Sequence, residues 1–361
     1  MKKRDSNLEL MRVALMCVIP AYHLLVYNLI LKAPYNDATL VTLAFCVAGA
    51  IPANYAFMAM SSYFLLETEK RLSPRKFLTT GCMALTLAAV RFCVVRGLYG
   101  FNSREYMVEG YITKGAWWYM DAYLLLLLAY PFLNHLLERI GERAHRVLLA
   151  ALTILLIVSF AAGKMTRTGD LGAFCLIYVL MGYLRRKGYR RFLFVKIRKW
   201  PMLAGSLVCY LILFLVGFWA KWPAFGVEQG TGNDILQYII SRYNPLAMVM
   251  GVFVFLFFRS LRMDFHPWIN RAASAVTYVF LLHETLLAVL WYLGYYWFPM
   301  EGLPGVKLLG SIVLFTGMSF GVALIVEVLY RHTVKNFWDR LIDRLCKGSV
   351  IKNIEEMEAK L

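Results

Sequence analysis

Apolar residues recur in runs of about 20 along nearly the whole chain, and this spacing limits the fold more than any other feature. A run of that length spans the hydrocarbon layer as a helix, and a helix satisfies its own backbone hydrogen bonds where no water can. Ten such stretches are read: Leu8–Leu31, Val41–Leu66, Phe77–Val95, Trp117–Leu137, Val147–Ala162, Leu171–Leu184, Met202–Ala220, Leu246–Leu261, Ala272–Phe298 and Leu308–Tyr330. The expected fold is all-α, a polytopic membrane protein of about ten transmembrane helices.

Charge sets the expected orientation. With the N-terminus inside, 28 of the 39 Lys and Arg residues fall in inner segments and 8 in outer loops. That bias fits the positive-inside rule and places both termini in the cytoplasm. The formal charge of +17 is then explained by orientation and by contact with anionic lipid heads, and no nucleic-acid partner is expected. The basic start is not read as a signal peptide, because its apolar stretch is too long and no small-residue cleavage site follows. The seven cysteines lie mostly within spans and show no CxxC spacing, so neither a metal site nor a disulfide is expected.

Residues 1–332 read as one integral-membrane domain and 333–361 as a cytoplasmic tail. The tail carries Val334, Phe337, Trp338, Leu341, Ile342 and Leu345 at helical spacing, with Lys335, Arg340 and Arg344 on other faces. This is the pattern of an amphipathic helix lying on the inner membrane surface.

Ionisable residues inside spans are costly and mark candidate function. Arg12 and His23 share the first stretch. At about 100° per residue, eleven steps return to within about 20° of the starting direction, so both side chains share one face about 16 Å apart along the axis. Pro20, between them, frees a carbonyl one turn earlier, which is tolerated where helices line a cavity. An imidazole suits general-base work because its unperturbed pKa lies near neutrality. Arg91, about 22 Å up the third stretch, is expected level with His23 and in need of an anion, with Asp121 as a candidate partner. Ser61 is expected level with Arg12 instead, which disfavours a Ser–His nucleophile pair and leaves it as a packing or donor-contact residue. His283 and Glu284 lie at mid-depth, but neighbours in sequence point about 100° apart and are not expected to face one cavity together. Arg75 and Lys76 fit either phosphate contact or a solvated inner loop.

The order of several segments resembles a known family. Ser6-Asn7-Leu8-Glu9-Leu10-Met11-Arg12, with His23 after ten further residues, resembles the opening of the integral-membrane acyltransferase type 3 family. Phe57 to Leu65, Trp117 to Tyr123 with Pro131-Phe132-Leu133-Asn134, Asn244-Pro245-Leu246, Trp268-Ile269-Asn270 and Leu281-Leu282-His283-Glu284 resemble its later segments in order, from about Ser6 to Tyr330. The chain departs from the family pattern at Ser62, Tyr278 and Phe280, where glycine, glycine and tyrosine are usual.

The resemblance implies an enzyme of the bacterial plasma membrane that moves an acyl group, most often acetyl, from cytoplasmic acyl-coenzyme A to a hydroxyl of a cell-surface or envelope carbohydrate. Transfer is finished by this chain or by a partner transferase on the outer side. In the family, the arginine and histidine carried here by Arg12 and His23 are the functional pair. On this reading Arg12, Arg75, Lys76 and Ser61 contact the cofactor, and His23 is the base or holds an acyl intermediate. Arg91 stabilises the oxyanion, while His283, Glu284, Asp121 and Trp118 are candidates for acceptor contact. No metal is expected. An alternative reading is a transporter or flippase of an envelope precursor, with Arg91, Asp121, His283 and Glu284 as a polar path, or a non-catalytic relative.

Overall fold

A computed structural model describes residues 5–31, 37–66, 74–100, 117–161, 167–186, 198–219, 244–293 and 305–347. Among these residues every regular element is helical. In chain order they are α1 (Ser6–Leu31), α2 (Asp37–Leu65), α3 (Pro74–Tyr99), α4 (Trp118–Arg139), α5 (Glu142–Ala161) and α6 (Arg167–Arg186). Then follow α7 (Lys199–Trp219), α8 (Pro245–Ser260), α9 (Pro267–Ser274), α10 (Val276–Tyr292), α11 (Gly305–His332) and α12 (Lys335–Lys347). Within the described residues, nine of the ten apolar stretches each fall on one helix, and Ala272–Phe298 instead crosses the break between α9 and α10. Among the described residues five helices are long and apolar enough to cross a membrane, six when α9 and α10, bent by 49° at their junction, are taken as one span.

Helices α1, α2 and α10 organise the bundle: α1 packs on α2, α9, α10 and α11, α2 on α6, α7 and α8, and α10 on α3 and α11. Apolar side chains face outward as well as inward. Leu85, Ile154, Leu155, Val313 and Ile325 are all exposed, as expected of a bundle whose solvent is lipid rather than water.

Polar residues within the resembling segments join helix ends that would otherwise leave backbone groups unsatisfied. Asn7 Nδ2 donates to the carbonyls of Phe258 and Leu261, 3.0 Å each, at the C-terminal end of α8. Ser6 Oγ accepts from the backbone N–H of His266 at 2.8 Å and from Asn270 Nδ2 at 2.7 Å, tying α1 to the start of α9. Asn244 caps α8, its side chain accepting from Leu246 N at 2.9 Å, with Pro245 in the first turn where a missing N–H costs nothing. Asn134 is fully buried, donating to the Leu65 carbonyl at 3.1 Å and accepting from Tyr178 at 2.8 Å, which joins α4, α2 and α6.

The tail helix α12 docks beneath α3. Trp338 Nε1 donates to Thr86 Oγ1 at 2.9 Å, Arg75 pairs with Asp343 at 2.5 Å, and Ile342 is buried. Residues 348–361 of the tail lie outside the described residues.

The α2–α8 contact depends on a missing side chain. A Cβ at Gly251 would stand 2.5 Å from Tyr55 Cβ and 2.7 Å from the Pro52 carbonyl oxygen, so the two backbones could not keep their separation. Small residues at such crossings are how membrane helices approach closely. Gly251→Ala is expected to lower the thermal unfolding midpoint of the detergent-solubilised protein, an overpacking cost of about 1–3 kcal/mol or more. Gly310→Ala, where a Cβ meets nothing within 4 Å, is expected to leave it unchanged.

Candidate active site

A cavity of about 320 Å³ lies among α1, α2, α3, α4 and α10. On α1 it is lined by Arg12, Met16 and Ile19, a spacing of four and three residues that keeps all three on one face. Asn54, Phe57, Ser61 and Phe64 contribute from α2, Lys76, Thr80 and Met83 from α3, Tyr119 and Tyr123 from α4, and Thr277 and Phe280 from α10. Two cations therefore stand in a mainly apolar chamber. Arg12 is fixed one turn along its own helix by Glu9, Nη1 to Oε2 at 2.7 Å, with the carboxylate buried. A charged hydrogen bond of this kind holds the guanidinium in one direction instead of leaving a flexible side chain.

The next position on the α1 stripe is His23. It meets His283, Nδ1 to Nε2 at 2.6 Å, with ring planes 7° apart and centroids 4.9 Å apart, so the two imidazoles lie edge to edge in nearly one plane. His283 Nδ1 lies 2.9 Å from the Val279 carbonyl. A carbonyl only accepts, so this nitrogen carries a proton. In the neutral ring Nε2 must then accept, and the proton between the histidines belongs to His23 Nδ1. The basic lone pair of His23 is consequently on Nε2. Glu284 Oε1 lies 4.0 Å from His23 Nδ1, and Glu284 Oε2 accepts from Arg91 Nη1 at 2.8 Å. Arg91 is buried, at 2% exposure, with its guanidinium 5.9 Å from the Trp117 ring.

His23, His283 and Glu284 offer ligand atoms within 4.8 Å of one another, a donor set that a divalent transition metal could use. Their present arrangement favours proton traffic. Two nitrogens on one tetrahedral zinc would stand about 3.3 Å apart, given bonds of about 2.0–2.1 Å, whereas these are at hydrogen-bond distance. The carboxylate is already engaged by Arg91.

The structure sorts the candidates from sequence into three groups. Arg12, Lys76 and Ser61 line the cavity. His23, Arg91, His283 and Glu284 form the cluster beyond it, which corrects the expectation that His283 and Glu284 would not serve one place. The 100° between their directions is spanned because His23 and Arg91 approach α10 from two other helices, and the glutamate side chain is long enough to reach between them. Arg75 and Asp121 stand elsewhere: Arg75 pairs with Asp343, and Asp121 is exposed in the first turn of α4. The carboxylate that meets Arg91 is Glu284, 193 residues away in sequence. The side chain of Trp118 lies outside the described residues. Sequence reasoning passed over Glu9, Tyr119 and Tyr123. The i, i+3 spacing of Glu9 to Arg12 and the i, i+4 spacing of the tyrosines were the available signals. Ser62 turns away, donating to the Met58 carbonyl of its own helix at 2.8 Å.

A protein-family model described as an acyltransferase domain matches residues 5–330. No curated protein and no solved structure matches the chain.

Removing one member of a buried ion pair strands the other's charge, which costs more than the pair itself contributes. Arg91→Ala is expected to destabilise the solubilised protein by about 3 kcal/mol or more. Adding Glu284→Ala to it is expected to recover much of the loss. Thermal unfolding of the two single variants and the double variant reads the coupling directly, and additive losses would contradict it.

Proposed function

The chain belongs to the acyltransferase domain family that matches residues 5–330, and from that membership we propose a membrane O-acyltransferase with an acyl-coenzyme A donor, in the first instance acetyl-coenzyme A. The donor is drawn from the cytoplasm and the acceptor is a hydroxyl of a cell-surface or envelope carbohydrate. The observation that carries the reading is the course of the α1 stripe. Arg12, Met16 and Ile19 line a chamber that holds two cations, and the same stripe continues to a histidine whose basic nitrogen is fixed by a second histidine. The proposed sidedness, with both termini inside, is supported by the 28-to-8 bias of Lys and Arg.

In this mechanism Arg12 and Lys76 hold the phosphate end of the donor, Arg12 in a direction set by Glu9. The pantetheine arm lies along the apolar wall and carries the thioester toward His23. His23 Nε2 takes the proton of the acceptor hydroxyl as its oxygen attacks the thioester carbonyl. The C–O bond forms, the C–S bond breaks, and the thiolate leaves with the proton that His23 returns. His283 holds the reactive tautomer. Glu284, itself held by Arg91, stabilises the imidazolium through the interval in which His23 carries two protons. Arg91 is thereby a positioning residue rather than the oxyanion donor.

His23→Ala at matched expression is expected to lower O-acetylation of envelope glycans by about 10²-fold or more, the usual weight of a positioned general base. Mass spectrometry of the glycans checks it, and undiminished acetylation would sink the assignment. Arg12→Ala is expected to weaken donor binding by about ten- to a hundredfold, the loss of a charged hydrogen bond. Acetyl-coenzyme A titration of the purified protein reads that change.

A further inference from the structure

Three of the five helices that line the cavity continue past it through an apolar side chain to a polar one. On α1 the lining ends at Ile19, and His23 follows one turn on. On α10 it runs from Val276 to Phe280, and His283 and Glu284 follow. On α3 it ends at Met83; Leu87 is then buried, at 1% exposure, and Arg91 follows. None of His23, His283, Glu284 or Arg91 is among the residues that line the cavity. Ile19 and Leu87 belong to one apolar cluster, and Phe280 packs against it. The chamber and the histidine pair are therefore separated by a single apolar layer.

Phe280 is the layer's least adaptable member. Its ring lies 6.4 Å from His283 on the far side and meets Tyr119 edge-on at 5.8 Å and 66°, and Tyr119 is backed by Phe174 at 5.3 Å. Four methionines, Met16, Met60, Met83 and Met120, line the chamber itself. Methionine adapts to the shape of its neighbours, whereas a ring held edge-on does not. The chamber wall is thus soft and its inner end is hard.

We infer that Phe280, with Ile19, is the acyl-size filter of this site, admitting short acyl groups to the histidine pair and excluding long ones. The inference rests on the acyl-coenzyme A reading above. A donor that enters from the Arg12 end advances acyl group first, because the phosphates stay behind at the cations. To bring the thioester carbonyl to His23, the acyl chain must pass the layer and occupy the space beyond it. That space is bounded by a buried ion pair and two imidazoles, a polar floor that offers a long hydrocarbon chain little compensation. An acetyl group needs only a small displacement of the Phe280 ring, and each added methylene must find room beyond it.

The test uses the full chain in membranes of the cells that make it, so that the acceptor is present, and measures release of free coenzyme A thiol from acetyl- and octanoyl-coenzyme A. Wild type is expected to favour acetyl-coenzyme A. Phe280→Ala is expected to raise the octanoyl-to-acetyl rate ratio about tenfold or more, the scale on which apolar pockets discriminate chain length. Ile19→Ala, a smaller truncation, is expected to move the ratio in the same direction and guards against a misfolded Phe280 variant. Wild type that turns over acetyl-coenzyme A while neither folded variant changes the ratio overturns the filter and leaves the acyl-coenzyme A reading standing. Wild type that turns over neither donor overturns that reading, and the filter falls with it.

Discussion

The contact between Arg91 and Glu284 is the interaction on which the rest of this site depends. A guanidinium and a carboxylate, both largely buried, meet at 2.8 Å between α3 and α10. Neither charge is tolerable alone in an apolar bundle, and together they constrain the relative height of the two helices. Once α10 is held at that height, His283 is one residue from the ion pair and level with His23 on α1. The pair thus does for three helices what a disulfide would do for two strands of a secreted domain, but with charge available to an adjacent imidazole.

Much of the family resemblance is structural in its effect. Ser6 and Asn7 reach carbonyls and amides at the end of α8 and the start of α9, Asn244 caps α8, Asn134 joins three helices, and Asn270 returns to Ser6. Most of these side chains satisfy backbone groups at helix ends, which the helices themselves leave unpaired. The opening segment therefore does two kinds of work on successive turns of one helix. Its first residues secure α1 to the rest of the bundle, and Arg12, held by Glu9, faces the chamber. A change at Asn7 and a change at Arg12 both abolish the segment's pattern, yet they act on different links, one on packing and one on ligand contact.

What could be read from the chain beforehand was local and periodic. Helical positions followed from runs of apolar residues, the shared face of Arg12 and His23 from eleven steps at about 100°, and the height of Arg91 from its distance along the third stretch. The partners of these residues were not legible, because pairing is set by which helices become neighbours. Glu284 meets Arg91 across 193 residues, and His23 meets His283 across 260. The rule that adjacent residues diverge by about 100° describes where side chains leave their own helix. It cannot describe a site assembled by two other helices arriving on either side. Arg75 shows the converse: its place in a basic run suggested phosphate contact, and the tail helix supplies an aspartate to it instead.

A backbone atom decides the chemistry of the histidine pair. The Val279 carbonyl requires a proton on His283 Nδ1, which makes His283 Nε2 an acceptor and commits the proton of the shared hydrogen bond to His23 Nδ1. The reactive nitrogen of His23 is therefore determined one turn below His283, by the course of α10. Anything that tilts or unwinds α10 at Val279 releases His283 to its other tautomer. The shared hydrogen bond then loses its fixed direction, and His23 can present a donor where a base is needed. The 49° bend between α9 and α10 lies one turn earlier, at Ala275, so the backbone that sets the tautomer follows directly on the point where this helix departs most from a straight span. Helix geometry and acid–base chemistry are coupled here through one carbonyl, and the ion pair one residue beyond His283 is what keeps that carbonyl in place.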